Sequence, residues 1–312
     1  MPMEAESILV TVAGGPQLHL KRICENKRNP GTPVLMLHGL VEDGRIFYSQ
    51  QGKGLAYYLA QFGFDVFVAD LRGKGKSWPL AGPKMRAGLH ESINEDMPAL
   101  IKAIVKKRGP QPQIWVSHGW GGVISSAYYA RYGEELCPVQ NMIYFGTRRY
   151  VLPGGLRKKL VLHTLWRRAL KLCVGISGYL PARSLHLGTM NESARFYHDS
   201  VKWMFNPEWQ DTDGEFDYAA AARSRAMPPS LYFASTRDAI FGCPKDVRQF
   251  ISEFGEHNGR LIVLSRTESN QHDYGHVAML ADPDAEQDHF PELLTWLKQT
   301  TVVVKPEPIA RR

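Results

Sequence analysis

The sequence predicts an α/β fold: a mostly parallel, eight-stranded sheet with helices on both faces and a helical cap inserted late in the chain. Three observations predict it. Short β-rich runs alternate with helical patterns, which implies crossover units and parallel pairing. The alternation then stops for roughly 80 residues, too long a stretch for a simple connection in a compact domain. Finally, 312 residues with 44% hydrophobic and 22% charged content suit one large globular unit.

The elements follow in order. Ser7–Val12 and Gln17–Ile23, separated by Ala13-Gly14-Gly15-Pro16, read as an antiparallel hairpin. Pro33–Leu37 is an apolar run with the length of a buried strand, and Gly52–Phe62 after it reads as a helix. Phe64–Ala69 is the next strand. Over Asn94–Lys107, Met97, Leu100, Ile101, Ile104 and Val105 recur at helical spacing. Gln113–Val116 is a strand, followed by a helix from about Trp120 to Tyr132. Met142–Phe145, Ser230–Ala234 and Arg260–Leu264 are strands, and Phe290–Lys298 is a closing helix. The expected organisation is a core of 1–146 and 229–300, a helical cap over 147–228 and a flexible tail over 301–312.

Composition excludes several classes. The four cysteines, Cys24, Cys137, Cys173 and Cys243, form no C-x-x-C pair, so neither a disulfide framework nor a zinc site is expected. The N-terminus lacks the basic start and apolar run of a signal peptide. No apolar stretch approaches the ~18 residues needed to span a bilayer. A cytoplasmic protein is therefore expected. The net charge of +7 is local. From Leu136 to Asn191 there is no Asp or Glu, yet Arg148, Arg149, Arg157, Lys158, Lys159, Arg167, Arg168, Lys171 and Arg183 all fall there.

Two loops and a later pair of loops, each at the carboxyl end of a strand, carry chemistry, where open α/β sheets bind ligands. In Leu37-His38-Gly39-Leu40 the turn aims the Leu40 N–H at the place where an oxyanion would form, although His-Gly alone is also an ordinary turn. Val116-Ser117-His118-Gly119-Trp120-Gly121-Gly122 joins a strand to a helix. A nucleophile elbow needs small residues two before and two after the nucleophile, so that strand and helix pack closely around a strained backbone. Ser117 and Gly121 are those residues, and the Trp120 N–H at the helix start is the second oxyanion donor. The nucleophile position is Gly119, which has no hydroxyl. Asp238 and His276 follow later strands, so Gly119…Asp238…His276 keeps a known triad order.

These motifs resemble the α/β-hydrolase superfamily, in particular its esterase, lipase and acylglycerol-lipase-like branch. His38-Gly39 matches the family's oxyanion turn. Asp70-Leu71-Arg72-Gly73-Lys74-Gly75-Lys76-Ser77 matches its D-x-R-G-x-G-x-S turn, and Ser117–Gly122 its G-H-S-x-G-G elbow. The likeness covers Pro33–Ser126 and Ser230–Lys298. It implies an α/β-hydrolase fold of carboxylic-ester hydrolase lineage, with no metal and no organic cofactor. It implies catalytic positions at Gly119, Asp238 and His276, oxyanion donors at Leu40 and Trp120, and substrate contacts from His38, Gly39 and His118. Substrate identity does not follow, because one fold hosts many chemistries.

Two residues depart from the family pattern: Ala278, where Asp often follows the base by two, and Gly119 itself. Without serine the acyl-enzyme route is closed, leaving oxyanion and binding catalysis worth ~10³–10⁴ over water. Ser117, Ser125, Ser126 and His118 are poorly placed substitutes, whereas His276 could act on water directly as a general base. The expected function is an inactive serine variant or a degenerate, pseudoenzyme-like member that binds an apolar ester or acyl small molecule. The alternative is a non-enzymatic interaction or membrane-surface protein that uses the basic cap.

Within the cap, Gly155–Cys173 reads as an amphipathic helix. Val161, Leu162, Leu165, Trp166, Ala169 and Leu172 gather on one side and Arg157, Arg167, Arg168 and Lys171 on the other. That pattern fits a lid helix, and it also fits an Arg157–Lys171 helix lying on an anionic membrane surface. Nucleic acid is not expected, since no recognition motif accompanies the charge. Trp203, Met204, Phe205 and Trp209 are expected either to line an acyl pocket or to form the cap core.

Overall fold

The structure, a computed structural model, describes residues 3–211 and 214–300. The expected tail, 301–312, lies outside the described residues. The chain starts with an antiparallel hairpin, β1 (Glu4–Thr11) and β2 (Gln17–Cys24). Next come β3 (Pro33–Leu37), β4 (Asp65–Asp70), β5 (Gln113–His118) and β6 (Val139–Phe145). Two short strands, β7 (Tyr179–Leu180) and β8 (Glu192–Ser193), pair with each other inside the insertion. The chain returns to the main sheet with β9 (Ser230–Ser235) and β10 (Gly259–Leu264). The eight-stranded order is β1-β2-β4-β3-β5-β6-β9-β10, parallel from β4 onward.

Every residue of β3, β4, β5 and β9 is buried, the signature of parallel strands covered on both faces. Alternate side chains serve separate cores. Leu35, Leu37 and Trp115 pack on one side, and Val34, Met36, Ile114 and Val116 on the other. The helices Leu55–Gln61, Met97–Arg108, Trp120–Tyr132 and Phe290–Thr300 lie where the sequence placed them. The helix Pro244–Ile251, between β9 and β10, was not expected. Nor were β7 and β8, in a stretch read as strand-free.

The cap helix corrects the sequence reading. It runs through three consecutive pieces, Leu156–Lys159, Leu160–Ala169 and Leu170–Ser177, and the middle piece is π-wound. Its buried residues are Lys158, Leu162, Trp166, Leu170 and Val174, spaced by four. On an α-helix of 3.6 residues per turn, five such positions would fan over about 160°. Wider winding keeps them in one line. Leu165, Ala169 and Leu172, expected on the inner side, are therefore exposed.

The basic segment is also less superficial than its composition suggests. Arg149 is buried and forks onto Glu253 at 2.7 and 2.9 Å. Lys158 reaches the buried Asp246 at 2.5 Å. A third buried pair, Lys74 and Glu192 at 2.5 Å, joins the turn after β4 to β8.

Candidate active site

Loops after β3, β5, β6, β9 and β10 converge on a cavity of about 890 Å³. From the core, Leu40, Gly119, Trp120, Gly146, Asp238 and His276 line it. From the insertion come Leu162, Trp166, Leu187 and Met204.

The elbow is built as the small residues require. Gly119 has φ 48° and ψ −118°, a conformation costing a non-glycine residue about 1–3 kcal/mol. Its N–H donates to the Phe145 carbonyl at 2.9 Å, which ties the turn to β6. A Cβ on Gly121 would run into the Leu37 and His38 carbonyls, and one on Gly122 into the Thr147 side chain. Close approach of helix to sheet, read from sequence as a need for small residues, is thus literal. The helix begins at Trp120, whose N–H lies at its positive end.

Beside this turn, His276 donates Nδ1–H to Asp238 Oδ2 at 2.6 Å. Asp238 Oδ1 accepts the Phe241 N–H at 2.9 Å, while the buried Arg148 holds the Phe241 carbonyl at 2.8 Å. Burial pushes the Asp238 carboxyl up. The imidazole of His276 and the backbone N–H groups of Phe241 and Gly242 overcome that and hold it below the usual carboxylate range. An ionised Asp238 only accepts, so the neutral His276 ring carries its proton on Nδ1 and its lone pair on Nε2. The ring rests against Gly146, where a Cβ would stand 2.8 Å from both Nδ1 and Cε1. Nε2 lies 3.3 Å from the place where a Cβ on Gly119 would be.

Glu42, which the sequence reading did not single out, completes the site. Its carboxylate accepts the Gly39 N–H at 2.5 Å and His118 Nδ1–H at 2.5 Å. His118 Nε2–H donates onward to the His276 carbonyl at 3.1 Å. Both partners of His118 are acceptors, so the ring is an imidazolium. Burial opposes that charge, but the carboxylate of Glu42 prevails and raises the His118 pKa, while His118 in turn holds Glu42 low against its own burial. The only sequence signal was an acid three residues after a His-Gly turn. His38 is different: Nδ1–H donates to the Gly39 carbonyl at 2.9 Å and Nε2 accepts the Leu71 N–H at 3.0 Å. It is a neutral, fully buried brace, and burial lowers its pKa.

Gly119, Asp238, His276, Leu40 and Trp120 thus share one cavity, whereas His38, Gly39 and His118 stand behind its wall. Ser117, Ser125 and Ser126 are buried beneath the elbow, with Ser117 and Ser125 hydroxyls 3.1 Å apart. Met204 reaches the cavity. Trp203 and Trp209 pack against Tyr218 inside the insertion. Among the described residues no cluster of three or more His, Cys, Asp or Glu is arranged to hold a metal.

The family model described as alpha/beta hydrolase fold matches residues 32–153. Sterol esterase 2 of Saccharomyces cerevisiae is 31% identical over 96 residues, 28% of this chain and 18% of that protein. A tear acid lipase-like protein of Mesocricetus auratus is 32% identical over 120 residues, 35% of this chain and 30% of that protein. The matched part therefore spans less than a third of either relative. Among solved structures, an esterase of Pyrococcus furiosus superposes with a TM-score of 0.61 at 16% identity, covering 96% of this chain and 92% of that one. An esterase from Exiguobacterium antarcticum gives 0.59 at 16% identity, covering 94% and 100%. At such identity the structures establish the fold.

Proposed function

Since the chain belongs to the α/β-hydrolase superfamily, we propose that its cavity receives an apolar ester or acyl molecule and forms no acyl-enzyme with it. The observation that carries this reading is the relation of Gly119 to His276. The base is oriented by Asp238, and its Nε2 faces an elbow position that bears no hydroxyl. The apolar wall of Leu40, Trp120, Leu162, Trp166 and Met204 supports an aliphatic ligand. The N–H groups of Leu40 and Trp120 are assigned to its carbonyl or carboxylate oxygen. Esterase and lipase relatives favour this ligand class over others. Titration with fatty acids and their esters tests it. Ligand at 100 times its Kd stabilises the folded state by about 2.7 kcal/mol and raises the melting temperature by several degrees. A series from short to long chains without any shift sinks the reading.

A second reading concerns the outer face of the cap helix. Leu156, Leu160, Leu172 and Ile176 are 83, 59, 69 and 82% exposed. They share the helix with Arg157, Lys159, Arg167, Arg168 and Lys171, all exposed. Apolar and cationic side chains on one outward surface favour an anionic lipid interface as partner. No helix among the described residues is long and apolar enough to cross a membrane. The four cysteines are free, which supports placement in the cytoplasm.

A further inference from the structure

We infer that this chain hydrolyses esters by one direct displacement at the acyl carbon, with water taking the place of the absent hydroxyl and His276 as its base. The inference rests on the reading that the cavity admits an ester.

The geometry favours it in three ways. First, Asp238 fixes the His276 tautomer, so the Nε2 lone pair points at the elbow and not at a protein donor. Secondly, no side chain fills the elbow position. Outside residues 118–120, the atoms nearest to where a Cβ on Gly119 would stand are His276 Nε2 at 3.3 Å, His276 Cε1 at 3.8 Å and Gly39 Cα at 3.9 Å. Nothing carried by Gly119 therefore stands between Nε2 and the cavity, and a water in the cavity, clear of the Gly119 backbone, can donate to Nε2 from the side a serine oxygen would occupy. Thirdly, the oxyanion side is assembled without serine. Gly39 packs so closely on the elbow that its own Cβ would stand 3.2 Å from the Trp120 nitrogen, which brings the Leu40 turn to the helix N-terminus. Glu42 pins that turn through the Gly39 N–H, and the His118 imidazolium offsets its charge.

The step balances with water alone. The water oxygen bonds to the ester carbonyl carbon as its proton passes to His276 Nε2. The carbonyl electrons move to the oxygen facing the Leu40 and Trp120 N–H groups. Collapse of the tetrahedral intermediate breaks the bond to the alcohol oxygen, which takes the proton back from Nε2. Acid and alcohol leave, and no bond to the protein is made.

The test uses the full chain with p-nitrophenyl butyrate. Release of p-nitrophenol is expected to be linear, without a burst, indifferent to a fluorophosphonate, and without an acyl adduct in intact-mass spectra. His276→Ala, which leaves the elbow backbone untouched, should lower the rate about 10²-fold or more. Gly119→Ala sets a methyl group 3.3 Å from Nε2, in the path of the water, and should lower the rate at least about tenfold, while fatty-acid-induced stabilisation persists. An acyl adduct, or a rate unchanged by His276→Ala, overturns the inference. Fatty-acid stabilisation without His276-dependent turnover also overturns it and leaves the binding reading standing. Loss of both turnover and stabilisation takes the binding reading down with it.

Discussion

The carbonyl oxygen of His276 accepts a hydrogen bond from Nε2 of His118, 3.1 Å away, so the residue next to Gly119 holds the loop that carries the base. The two rings lie 4.4 Å apart. Through Glu42 the same imidazolium reaches the Gly39 turn. Three loops far apart in sequence are therefore registered by one charged ring.

This pair predicts a pH window for stability. The His118 pKa is raised above its ordinary 6.5, so its contribution is complete below that value and fades as pH climbs through the raised one. The Glu42 pKa is held below its ordinary 4.5, so its contribution is complete above that value and fades as pH falls through the lowered one. Both operate in full between about pH 4.5 and 6.5. Glu42→Gln should lower stability there by about 3 kcal/mol, and the deficit should shrink on either side. Calorimetry across pH measures it. A deficit still growing above pH 9 contradicts an imidazolium.

Gly119→Ser should have two opposed effects. The hydroxymethyl group arrives beside Nε2, so covalent labelling by a fluorophosphonate and faster ester turnover are expected. The φ of 48° is unfavourable for serine, so the melting temperature should drop by a few degrees. Adding His276→Ala should remove the labelling. A folded but unlabelled variant means that base and elbow are not in register.

Asp246 is fully buried and receives Lys158 at 2.5 Å and the Leu152 N–H at 3.3 Å. Lys158→Met takes the closest cation from that carboxylate, leaving the buried Arg148 at 3.8 Å, and should destabilise by about 3 kcal/mol. Adding Asp246→Leu should restore part of the loss, because an apolar pair replaces a desolvated one while Arg148 keeps the Phe241 carbonyl. Strict additivity of the two changes in denaturant titrations would show that the pair is not coupled.

The cap helix should bind anionic vesicles at low salt and release them as ionic strength approaches 0.15 M, where screening shortens to about 8 Å. Reversing Arg157, Arg167, Arg168 and Lys171 to Glu should abolish co-sedimentation. Leu156→Ser with Leu160→Ser should weaken it without changing the salt response. Equal binding to neutral vesicles would remove charge from the account.

Much of the frame was legible because burial on both faces writes itself as unbroken apolar runs, as at Pro33–Leu37. The elbow was legible for a steric reason: Gly121 and Gly122 sit where no larger residue fits, whatever occupies the position between Ser117 and Gly121. The inner face of the cap helix was not, because period counting assumes 3.6 residues per turn and this helix winds more widely. The burial of Arg148 and Arg149 was not legible either, since composition does not show that their partners, the Phe241 carbonyl and Glu253, lie about 100 residues downstream. Glu42 follows no periodic pattern at all. Its role exists only once the His118 ring is brought to it.

The buried pairs Lys74–Glu192, Arg149–Glu253 and Lys158–Asp246 reach beyond stability. One ties the stretch between β6 and β9 to the turn after β4, and two tie it to the helix Pro244–Ile251 and the residues just after it. A cover riveted at three such points does not swing like a door, because lifting it would expose several unpaired charges together. Arg157 and Val277, which line the chamber and are exposed, mark where it meets solvent. For the acyl ligand proposed above, a chamber so held is a vessel of set capacity, and chain length measured against its walls is what it would sort.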